Sequence, residues 1–399
     1  MAPVPPLPPL QPGTSATPVA DQGAADQGGS QPPIHGGNRS AEARRLGLRP
    51  AQLLDASASL VPFGPPWHLR AQLLRQLLRG DSLRDYPDRS YHQLRQGLAS
   101  LHGLDPARVL PGNGAAELFT WAARDAAACG PSLLPTPGFA DYGRALRCWD
   151  GAIRSLPLPL DWREAGPTAW PGAAALPVTG AAPVLWITNP HNPTGQLWSR
   201  ASLEPLLKTH ELVIVDEAFL PLTPGGEAQS LIPLLEAHPN LVVIRSLTKV
   251  LAVAGLRLGY ALGDPRRLER WAHWRDPWPV NGLAAALPAS LLMDRRWLER
   301  VQRWVTREGA WLRGRLGELG GLKLMPSATS YLLLRGCRSD GRPRSLEPLR
   351  QALAERHQIL LRDCRSFEGL DESWLRLSLQ NRRGHRRLLR ALRQDWPGA

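Results

Sequence analysis

The chain has 399 residues and a formal net charge of +13, with 43% hydrophobic and 21% charged residues. This length allows more than one domain, and the composition is ordinary for a soluble globular protein. No apolar run is long enough to span a bilayer, and the N-terminus lacks the order of a secretory signal, so we expect a cytoplasmic protein. The four cysteines lie far apart without metal-ligand spacing, which predicts reduced thiols and no metal site.

The positive charge comes mostly from arginine and admits three interpretations. Clustered basic residues can neutralise nucleic-acid phosphates or attract anionic small molecules. Dispersed arginines on solvated helix faces need neither, and this is the interpretation we favour. We therefore predict no nucleic-acid partner and no membrane association. The densest arginine cluster, at 382–393, has helical spacing and predicts the outer face of a terminal helix.

The N-terminal part divides into a tail and an arm. Residues 1–34 are rich in Pro, Gly, Gln, Ser and Ala, and such a segment cannot bury enough surface to offset its ordering entropy. The sequence therefore predicts a disordered tail. In residues 35–66, glycines and prolines predict an extended arm that crosses a surface. Helical patterns follow at 67–79 and 91–101, on either side of a turn.

From Pro131 to Glu217 strands alternate with helices, which favours a parallel sheet with helical crossovers. The strand at 184–188 ends in the rigid loop Asn189–Gly195, and the strand at 212–215 ends in Asp216. Ligands in open α/β sheets bind beyond the carboxyl ends of strands, so these side chains should converge. We predict an α/β fold with a large domain at 67–275.

A second, smaller unit is predicted at 276–399. Helices rich in tryptophan and arginine, at 271–278 and 297–319, lead away from the sheet. Strands at 330–334 and 374–379 and a closing helix at 384–395 complete an α+β unit.

Two stretches of the large domain carry candidate chemistry. The segment Val109–Phe119 passes from a strand through two glycines into a helix, which directs backbone N–H groups and a helix dipole at one spot, where an anion could bind. A second buried strand, at 242–245, is followed by Ser246 and Lys249, and Arg257 comes eight residues later. A single lysine after a strand is most often a solvated loop residue, because lysine prefers the surface. Lys249 becomes a candidate functional residue only when it is considered together with the residues around it.

Taken together, these motifs resemble the fold-type I pyridoxal-phosphate enzymes of the class I/II aminotransferase superfamily. The resemblance covers residues 35–395 and rests on the chain order of the following residues: Gly112-Asn113-Gly114, Phe139, Asn192–Gly195, Asp216, Ser246-x-x-Lys249 and Arg257. It implies pyridoxal 5'-phosphate as the cofactor and a large cofactor-binding domain whose sheet is mostly parallel and of the seven-stranded type. It also implies a smaller α+β C-terminal domain and a homodimer.

The resemblance assigns a role to each residue in terms of the cofactor's chemistry. Lys249 would hold the cofactor aldehyde as a Schiff base and later shuttle protons at the substrate α-carbon. Asp216 would keep the pyridine nitrogen protonated, Asn192 would bind the phenolic oxygen, and Phe139 would stack on the ring. The phosphate would be held by the following groups: Ser246, Arg257, the amides of Gly114, Ala115 and Ala116, and Tyr86 of a neighbouring subunit.

Other segments look like the cobalamin-pathway threonine-phosphate decarboxylases. These are His35–Asn38, the arm that ends at Pro66, Asp216–Phe219 and Arg362–Leu370. This likeness implies decarboxylation of L-threonine O-3-phosphate to (R)-1-aminopropan-2-yl phosphate. The small phosphorylated amino-acid substrate would be bound by Arg376, Arg362, His35 and Asn192, since a guanidinium binds carboxylate in a bidentate manner.

Two alternative functions stay open, and four residues depart from the decarboxylase pattern. A class I/II aminotransferase acting on histidinol phosphate or another amino acid is the nearest alternative, and a nucleic-acid-binding regulator that has kept the fold is a distant one. The arm carries Ser59 and Val61 where the decarboxylases carry other residues, and Ser330 replaces a usual Asn. Gln380 stands where the decarboxylases often have a second Arg, which leaves the substrate's identity open.

Overall fold

The computed structural model describes residues 36–171, 182–292 and 294–396. All of them belong to one compact unit, Pro33–Ala399. The tail predicted at 1–34 and His35 lie outside the described residues. Within the described part of the chain, no helix is both long and apolar enough to cross a membrane.

A seven-stranded sheet forms the centre of the molecule. Its spatial order is β2-β8-β7-β6-β5-β3-β4, and β8 alone runs antiparallel to its two neighbours. The sheet is therefore mostly parallel, as predicted. Its strands are β2 (Val109–Asn113), β3 (Ser132–Thr136), β4 (Ile153–Pro157), β5 (Val184–Thr188), β6 (Leu212–Asp216), β7 (Leu241–Ser246) and β8 (Leu258–Leu262).

The three central strands of this sheet, β5 to β7, are buried along their whole length. Their apolar residues are mostly β-branched or leucine, which suits a sheet covered on both faces. Two clusters of buried apolar side chains cover it, one on each set of alternating positions, so that Val213 and Val215 belong to one cluster and Ile214 to the other. Because β5, β6 and β7 run parallel to one another, their carboxyl ends lie at the same edge of the sheet.

Helices cover the sheet and extend from it. The segment 67–79 is helical as predicted, and the segment predicted at 91–101 forms a helix one residue further along the chain. The helices from the arm to the end of the large sheet are α1 (Arg39–Arg45), α2 (Trp67–Arg79), α3 (Asp81–Arg84), α4 (His92–His102), α5 (Gly114–Cys129), α6 (Ala140–Arg147), α7 (Arg200–Leu203), α8 (Leu247–Val250) and α9 (Pro265–Trp274).

A four-stranded antiparallel sheet of order β12-β13-β10-β9 forms the C-terminal part. Its strands are β9 (Leu322–Leu324), β10 (Tyr331–Gly336), β12 (Arg362–Asp363) and β13 (Trp374–Ser378). The helices here are α10 (Gly282–Ala285), α11 (Ala289–Leu292), α12 (Arg295–Gly317), α13 (Glu347–His357) and α14 (Arg382–Asp395). The domain boundary at 275–276 stays a prediction.

The arm at 36–66 differs from the extended segment that we expected. It begins with α1, because Asn38 caps the helix through a hydrogen bond from the Ala41 amide, 3.3 Å long, and good helix formers follow. Further on, β1 (Leu54–Asp55) pairs in parallel with β11 (Ile359–Leu360). The arm is thus attached to the C-terminal part by a short ladder.

The helix predicted at 271–278 is shifted along the chain. The structure places α9 at Pro265–Trp274, because Asp264 accepts hydrogen bonds from the amides of Arg266 and Arg267 and caps the helix there. Arg275 is extended, and Pro277 follows two residues later. A proline disfavours helical geometry in the residue before it, so the helix ends ahead of this point.

Candidate active site

A cavity of about 330 Å³ lies where the carboxyl ends of β6 and β7 meet α5, the arm and the C-terminal sheet. Most of the predicted site residues line it: Ala115, Ala116, Phe139, Asn192, Asp216, Ser246, Lys249, Arg257, Arg362 and Arg376. The arm contributes Gly36 and Ser57–Ser59. Residues of four strands, of three helix starts and of the arm, far apart in sequence, therefore converge on one space, as the strand-end rule predicted.

Lys249 lies in α8, which starts directly after β7. The end of this short helix is held in place, because the indole N–H of Trp297 donates to the carbonyl of Val250 at 2.8 Å. The Nζ atom of Lys249 forms no hydrogen bond or ion pair with the described residues, and it stands 5.9 Å from the centre of the Phe219 ring. Burial, together with the charges of Arg376 and Arg257, lowers the pKa of Lys249 to about 8. A neutral amine is thus accessible near physiological pH.

Asp216 ends β6 and is almost fully buried. Its Oδ2 atom accepts a hydrogen bond from the Tyr142 hydroxyl at 2.6 Å, and its Oδ1 atom accepts one from the Ala218 amide at 2.9 Å. Burial raises the pKa of Asp216 to about 6, while the Tyr142 hydrogen bond acts in the opposite direction. The Tyr142 hydroxyl is itself 2.8 Å from Thr188 Oγ1. The carboxylate is therefore held in one orientation by a network of buried hydrogen bonds.

The start of α5 forms an anion-binding end of the cavity. Gly114 has φ +74°, and a Cβ atom there would overlap the guanidinium of Arg257, so the close approach requires glycine. Ala115 and Ala116 follow at the first turn of this 16-residue helix, where backbone N–H groups lack helical partners. Arg257 has no carboxylate within ion-pair distance among the described residues. Arg257, the Ser246 hydroxyl and these N–H groups together form a donor set suited to phosphate.

Asn192 and Arg376 meet across the cavity wall. The loop of Asn192 is closed by two backbone hydrogen bonds of 2.7 Å, from His191 to Gln196 and from Gly195 to His191. Arg376 in β13 donates Nη1–H to the Asn192 Oδ1 atom and Nη2–H to the Ser57 carbonyl at 3.3 Å. Because its oxygen is engaged by Arg376, the Asn192 amide is left with N–H donors for a ligand.

Arg362 and Arg376 are direct cross-strand partners in the C-terminal sheet, and both line the cavity. The guanidinium carbon of each lies over the Phe367 ring, at 5.1 and 5.7 Å respectively. Arg362 also donates to the Ser366 hydroxyl. Burial and the neighbouring charge of Arg376 lower the pKa of Arg362 to about 10. Two like charges are therefore held side by side at the cavity.

Comparison with known proteins identifies the family to which this arrangement belongs. Residues 55–392 match the profile described as Aminotransferase class I and II. The chain belongs to the class I and II aminotransferase family. Members of this family are pyridoxal-phosphate-dependent enzymes, so the chain is an enzyme with pyridoxal 5'-phosphate as its cofactor.

Relatives within the family include proteins of two activities. The chain is 36% identical to a threonine-phosphate decarboxylase of Salmonella typhimurium over 91% of its own length and 97% of that protein. It is 32% identical to a histidinol-phosphate aminotransferase of Symbiobacterium thermophilum over 88% of its length and 92% of that protein. The crystal structure of L-threonine-O-3-phosphate decarboxylase from Porphyromonas gingivalis matches with a TM-score of 0.72 and 26% identity, over 86% of this chain and 99% of that chain.

The aminotransferase-family cofactor fits the side chains of this cavity. Its aldehyde needs an amine without a competing partner, and Lys249 Nζ provides one. Its pyridine nitrogen needs a buried carboxylate with a spare lone pair, which Asp216 offers beside the bonds from Tyr142 and Ala218. Its phosphate needs the donor set at Arg257. The Phe139 role in ring stacking stays a prediction, and Phe139 lines the cavity at the start of α6.

Among the predicted site residues that the structure describes, Gly114 and Tyr86 do not line this cavity. Tyr86 lies outside it, 78% exposed, and its ring stacks on Trp278 with the centres 4.3 Å apart. An exposed position leaves Tyr86 free to contact a neighbouring subunit, so that role stays a prediction. His35 lies outside the described residues, although the next residue, Gly36, lines the cavity.

The sequence analysis missed two contributors to the site. The first is Tyr142, which lies in α6, one turn after Phe139, and donates a hydrogen bond to Asp216. The spacing of three residues between two aromatics was the available signal, since such positions share a helix face. Ser57 supplies its carbonyl to Arg376 and its hydroxyl to the Gly37 amide at 3.0 Å. Nothing in the local sequence indicated this contact.

Proposed function

We propose that the enzyme decarboxylates L-threonine O-3-phosphate to (R)-1-aminopropan-2-yl phosphate. The observation that carries this proposal is the pair Arg362 and Arg376, whose guanidinium groups face the cavity from neighbouring strands. Threonine phosphate has a carboxylate and a phosphate, one anion for each. The likeness to the Salmonella decarboxylase, which extends over nearly the full length of both proteins, supports the same reaction.

Anionic ligands would reduce the electrostatic repulsion between these two arginines. Like charges directly opposite each other on neighbouring strands destabilise a sheet. Arg376 has no carboxylate within ion-pair distance among the described residues, and its Nε–H is buried without a hydrogen-bond partner. Charge-assisted bidentate hydrogen bonds to carboxylate or phosphate would satisfy these donors and offset the repulsion. A doubly anionic substrate therefore complements this wall better than a neutral or singly charged one.

The remaining residues support the chemistry of carbon dioxide loss. Pyridoxal phosphate, when bound, supplies an electron sink for the bond that breaks. Asp216 would hold the proton on the pyridine nitrogen, because a buried carboxylate stabilises an adjacent cation. Departure of carbon dioxide leaves an electron pair at the α-carbon, and Lys249 Nζ is the acid in the cavity that would return a proton there.

A product assay tests the proposal. The holoenzyme is incubated with threonine phosphate, and carbon dioxide and aminopropanol phosphate are measured. A parallel reaction holds histidinol phosphate and 2-oxoglutarate. We expect stoichiometric carbon dioxide and aminopropanol phosphate in the first reaction. Amino transfer in the second reaction, with no carbon dioxide released in the first, would contradict the decarboxylase assignment.

One observation favours a second candidate, an aminotransferase acting on histidinol phosphate or another amino acid. Gln380 replaces an arginine that is common in the decarboxylases, and it does not line the cavity. Its Nε2 atom donates to the carbonyls of Asp55 and Ser378, each at 3.3 Å, and so serves to anchor the arm. Ser59, another departure, bonds Ser378 through their hydroxyls at 2.8 Å. The product assay distinguishes the two activities.

We also propose that the enzyme is a homodimer through the face of α2 and α3. Six of the eight large apolar side chains that are exposed in the described part of the chain lie between residues 67 and 86: Trp67, Leu74, Leu77, Leu78, Leu83 and Tyr86. Such a concentration of exposed apolar side chains in one stretch of chain is typical of a protein interface. A second copy is the partner that would also bring Tyr86 towards a neighbouring cavity.

Disrupting this face should separate the subunits. In the variant Leu78→Glu/Leu83→Glu, two buried charges would be left unpaired at the interface, so we expect a monomer by sedimentation equilibrium. Ile153→Glu is the matched control, because Ile153 is also exposed but lies on β4, away from this face. A monomeric wild type, or an unchanged mass in the double variant, would rule out this interface.

A further inference from the structure

A buried ion pair behind the cavity joins the strand ends that carry the cofactor residues. Glu217 and Arg245 are 0% and 1% exposed in their side chains, and Glu217 Oε2 lies 2.7 Å from Arg245 Nη2 and 2.9 Å from Nε. Glu217 directly follows Asp216, and Arg245 directly precedes Ser246. Neither lines the cavity, because successive side chains in a strand point to opposite faces.

The pair extends the sheet beyond the regular register of its strands. Asp216 is paired with Ile244 in the parallel ladder of β6 and β7. The Glu217 amide adds one further bond, donating to the Ile244 carbonyl at 2.9 Å. One residue further along both strands, the side chains of Glu217 and Arg245 meet on the opposite face of the sheet. The two strand ends are thus connected by a main-chain bond and an ion pair.

The surrounding groups satisfy both charges. Glu217 Oε1 accepts from the Leu231 amide and Oε2 from the Ser230 hydroxyl, both at 2.8 Å. Arg245 makes a bidentate contact with Glu227, at 2.7 and 3.0 Å, and a hydrogen bond of 3.0 Å to Ser230. A full set of partners fixes the guanidinium plane and the carboxylate in a single arrangement.

Stability alone gives little reason to keep such a pair. An apolar pair of similar volume is often as stable as a buried ion pair, because the desolvation of two charges offsets their attraction. An apolar pair, however, is tolerant of small sliding motions, whereas hydrogen-bonded charges hold one geometry. Asp216 must meet one end of the cofactor and Ser246 the other, so the spacing of the two strand ends matters for binding.

We propose that Glu217 and Arg245 are positioning residues, which hold the ends of β6 and β7 at the separation that cofactor binding requires. They act through Asp216 and through the Ser246–Lys249 turn and do not touch the cofactor. The inference concerns the apoprotein's preorganisation for pyridoxal phosphate, so it applies to a decarboxylase and to an aminotransferase alike.

The double variant Glu217→Met/Arg245→Met tests this role. It replaces both charges of the strand-end pair by apolar groups of similar length, and the carboxylate that loses its partner, Glu227, is 43% exposed in its side chain and can be solvated. We expect the full-length apoprotein to fold, with a dissociation constant for pyridoxal phosphate raised at least tenfold. The cofactor should also raise the Tm of this variant less than it raises the Tm of the wild type, because stabilisation by a ligand follows its affinity.

Glu227→Gln is the matched control, since it removes a carboxylate from the same guanidinium but leaves the strand-end pair in place. Glu227 is 43% exposed in its side chain and lies outside the sheet. We expect its cofactor affinity to stay close to that of the wild type, because the Glu217–Arg245 contact between the strand ends is unchanged and the oxygen of the introduced glutamine can still accept from the guanidinium. A double variant that loses Tm equally with and without cofactor, at unchanged affinity, would show a merely structural role and overturn the proposal.

A single substitution covers the case in which the double variant does not fold. Arg245→Lys keeps the charge but loses the bidentate fork, so it separates geometry from electrostatics. We expect its apoprotein to fold and its cofactor affinity to fall several-fold. Wild-type affinity in Arg245→Lys would also contradict the positioning role.

Discussion

Replacing Lys249 by alanine is expected to remove the visible absorption band of the lysine-bound cofactor and to lower kcat by at least about a thousandfold. The proposed role of this amine is that of the nucleophile for the cofactor aldehyde and the acid–base group of the cavity, and no second lysine among the described residues lines this space. The band is read by spectrophotometry of the purified protein, and turnover by carbon dioxide release. In the wild type, borohydride should trap the cofactor on Lys249, as peptide mass spectrometry can test.

Lys323→Ala is the control for this experiment. Lys323 lies exposed on β9, outside the cavity, so its loss should change neither the band nor the rate.

The lowered pKa of Lys249, about 8, adds a pH dependence to cofactor incorporation. The neutral amine becomes more abundant as pH rises towards this value, so incorporation into the apoprotein should speed up between pH 6 and about 8. A Lys249→Ala protein that keeps the band would remove Lys249 from this role.

Replacing Asp216 by asparagine should lower kcat by about a hundredfold to a thousandfold while leaving the cofactor bound through Lys249. Asparagine preserves the shape: its Oδ1 atom can accept from the Ala218 amide, and its Nδ2–H group can donate to the Tyr142 oxygen, but it cannot hold a proton on the pyridine nitrogen by charge. The two quantities are measured separately, as cofactor absorbance and as turnover. Unchanged turnover would refute the electron-sink role of Asp216.

The same substitution should raise the Tm of the apoprotein at neutral pH. The pKa of Asp216 is raised to about 6 in the fold, so the native state favours the protonated form. Above pH 6 the folded protein carries a buried charge at a cost, whereas below about pH 4 the carboxyl is protonated in both folded and unfolded states. The gain from Asp216→Asn should therefore appear above pH 6 and vanish near pH 4. Active-site groups commonly lower stability in this way.

Tyr142→Phe provides a graded version of the same test. It removes one donor to the Asp216 carboxylate, so the pKa of Asp216 should rise further and cofactor affinity should fall about tenfold near neutral pH. Tyr260→Phe is the matched control, because Tyr260 is equally buried but its hydroxyl bonds His102, away from the cavity, at 2.9 Å. Equal effects of the two substitutions would show that Tyr142 acts only through packing.

The local sequence determined the elements that carry the site and the order in which they occur. Buried apolar runs predicted β5, β6 and β7, because a sheet covered on both faces needs such runs at every position. The polar residues that end these runs predicted where a ligand would bind, because strand ends in an open α/β sheet meet at one edge. The family's motif spacing added the cofactor, since Asn192, Asp216, Lys249 and Arg257 each match one of its functional groups.

Only the tertiary structure decided which side chains from distant segments complete the site. Arg362 and Arg376 become neighbours through an antiparallel register, and Ser57 reaches Arg376 across 319 positions of the chain. Register and arm placement depend on long-range pairing, which no local pattern encodes. The tertiary structure also decided which of the two adjacent acids at the end of β6, Asp216 or Glu217, faces the cavity, because the two are equally polar in the sequence. Because successive side chains of a strand point to opposite faces, Asp216 faces the cofactor cavity and Glu217 faces Arg245. Each of the two buried carboxylates thus needs a partner on its own face of the sheet.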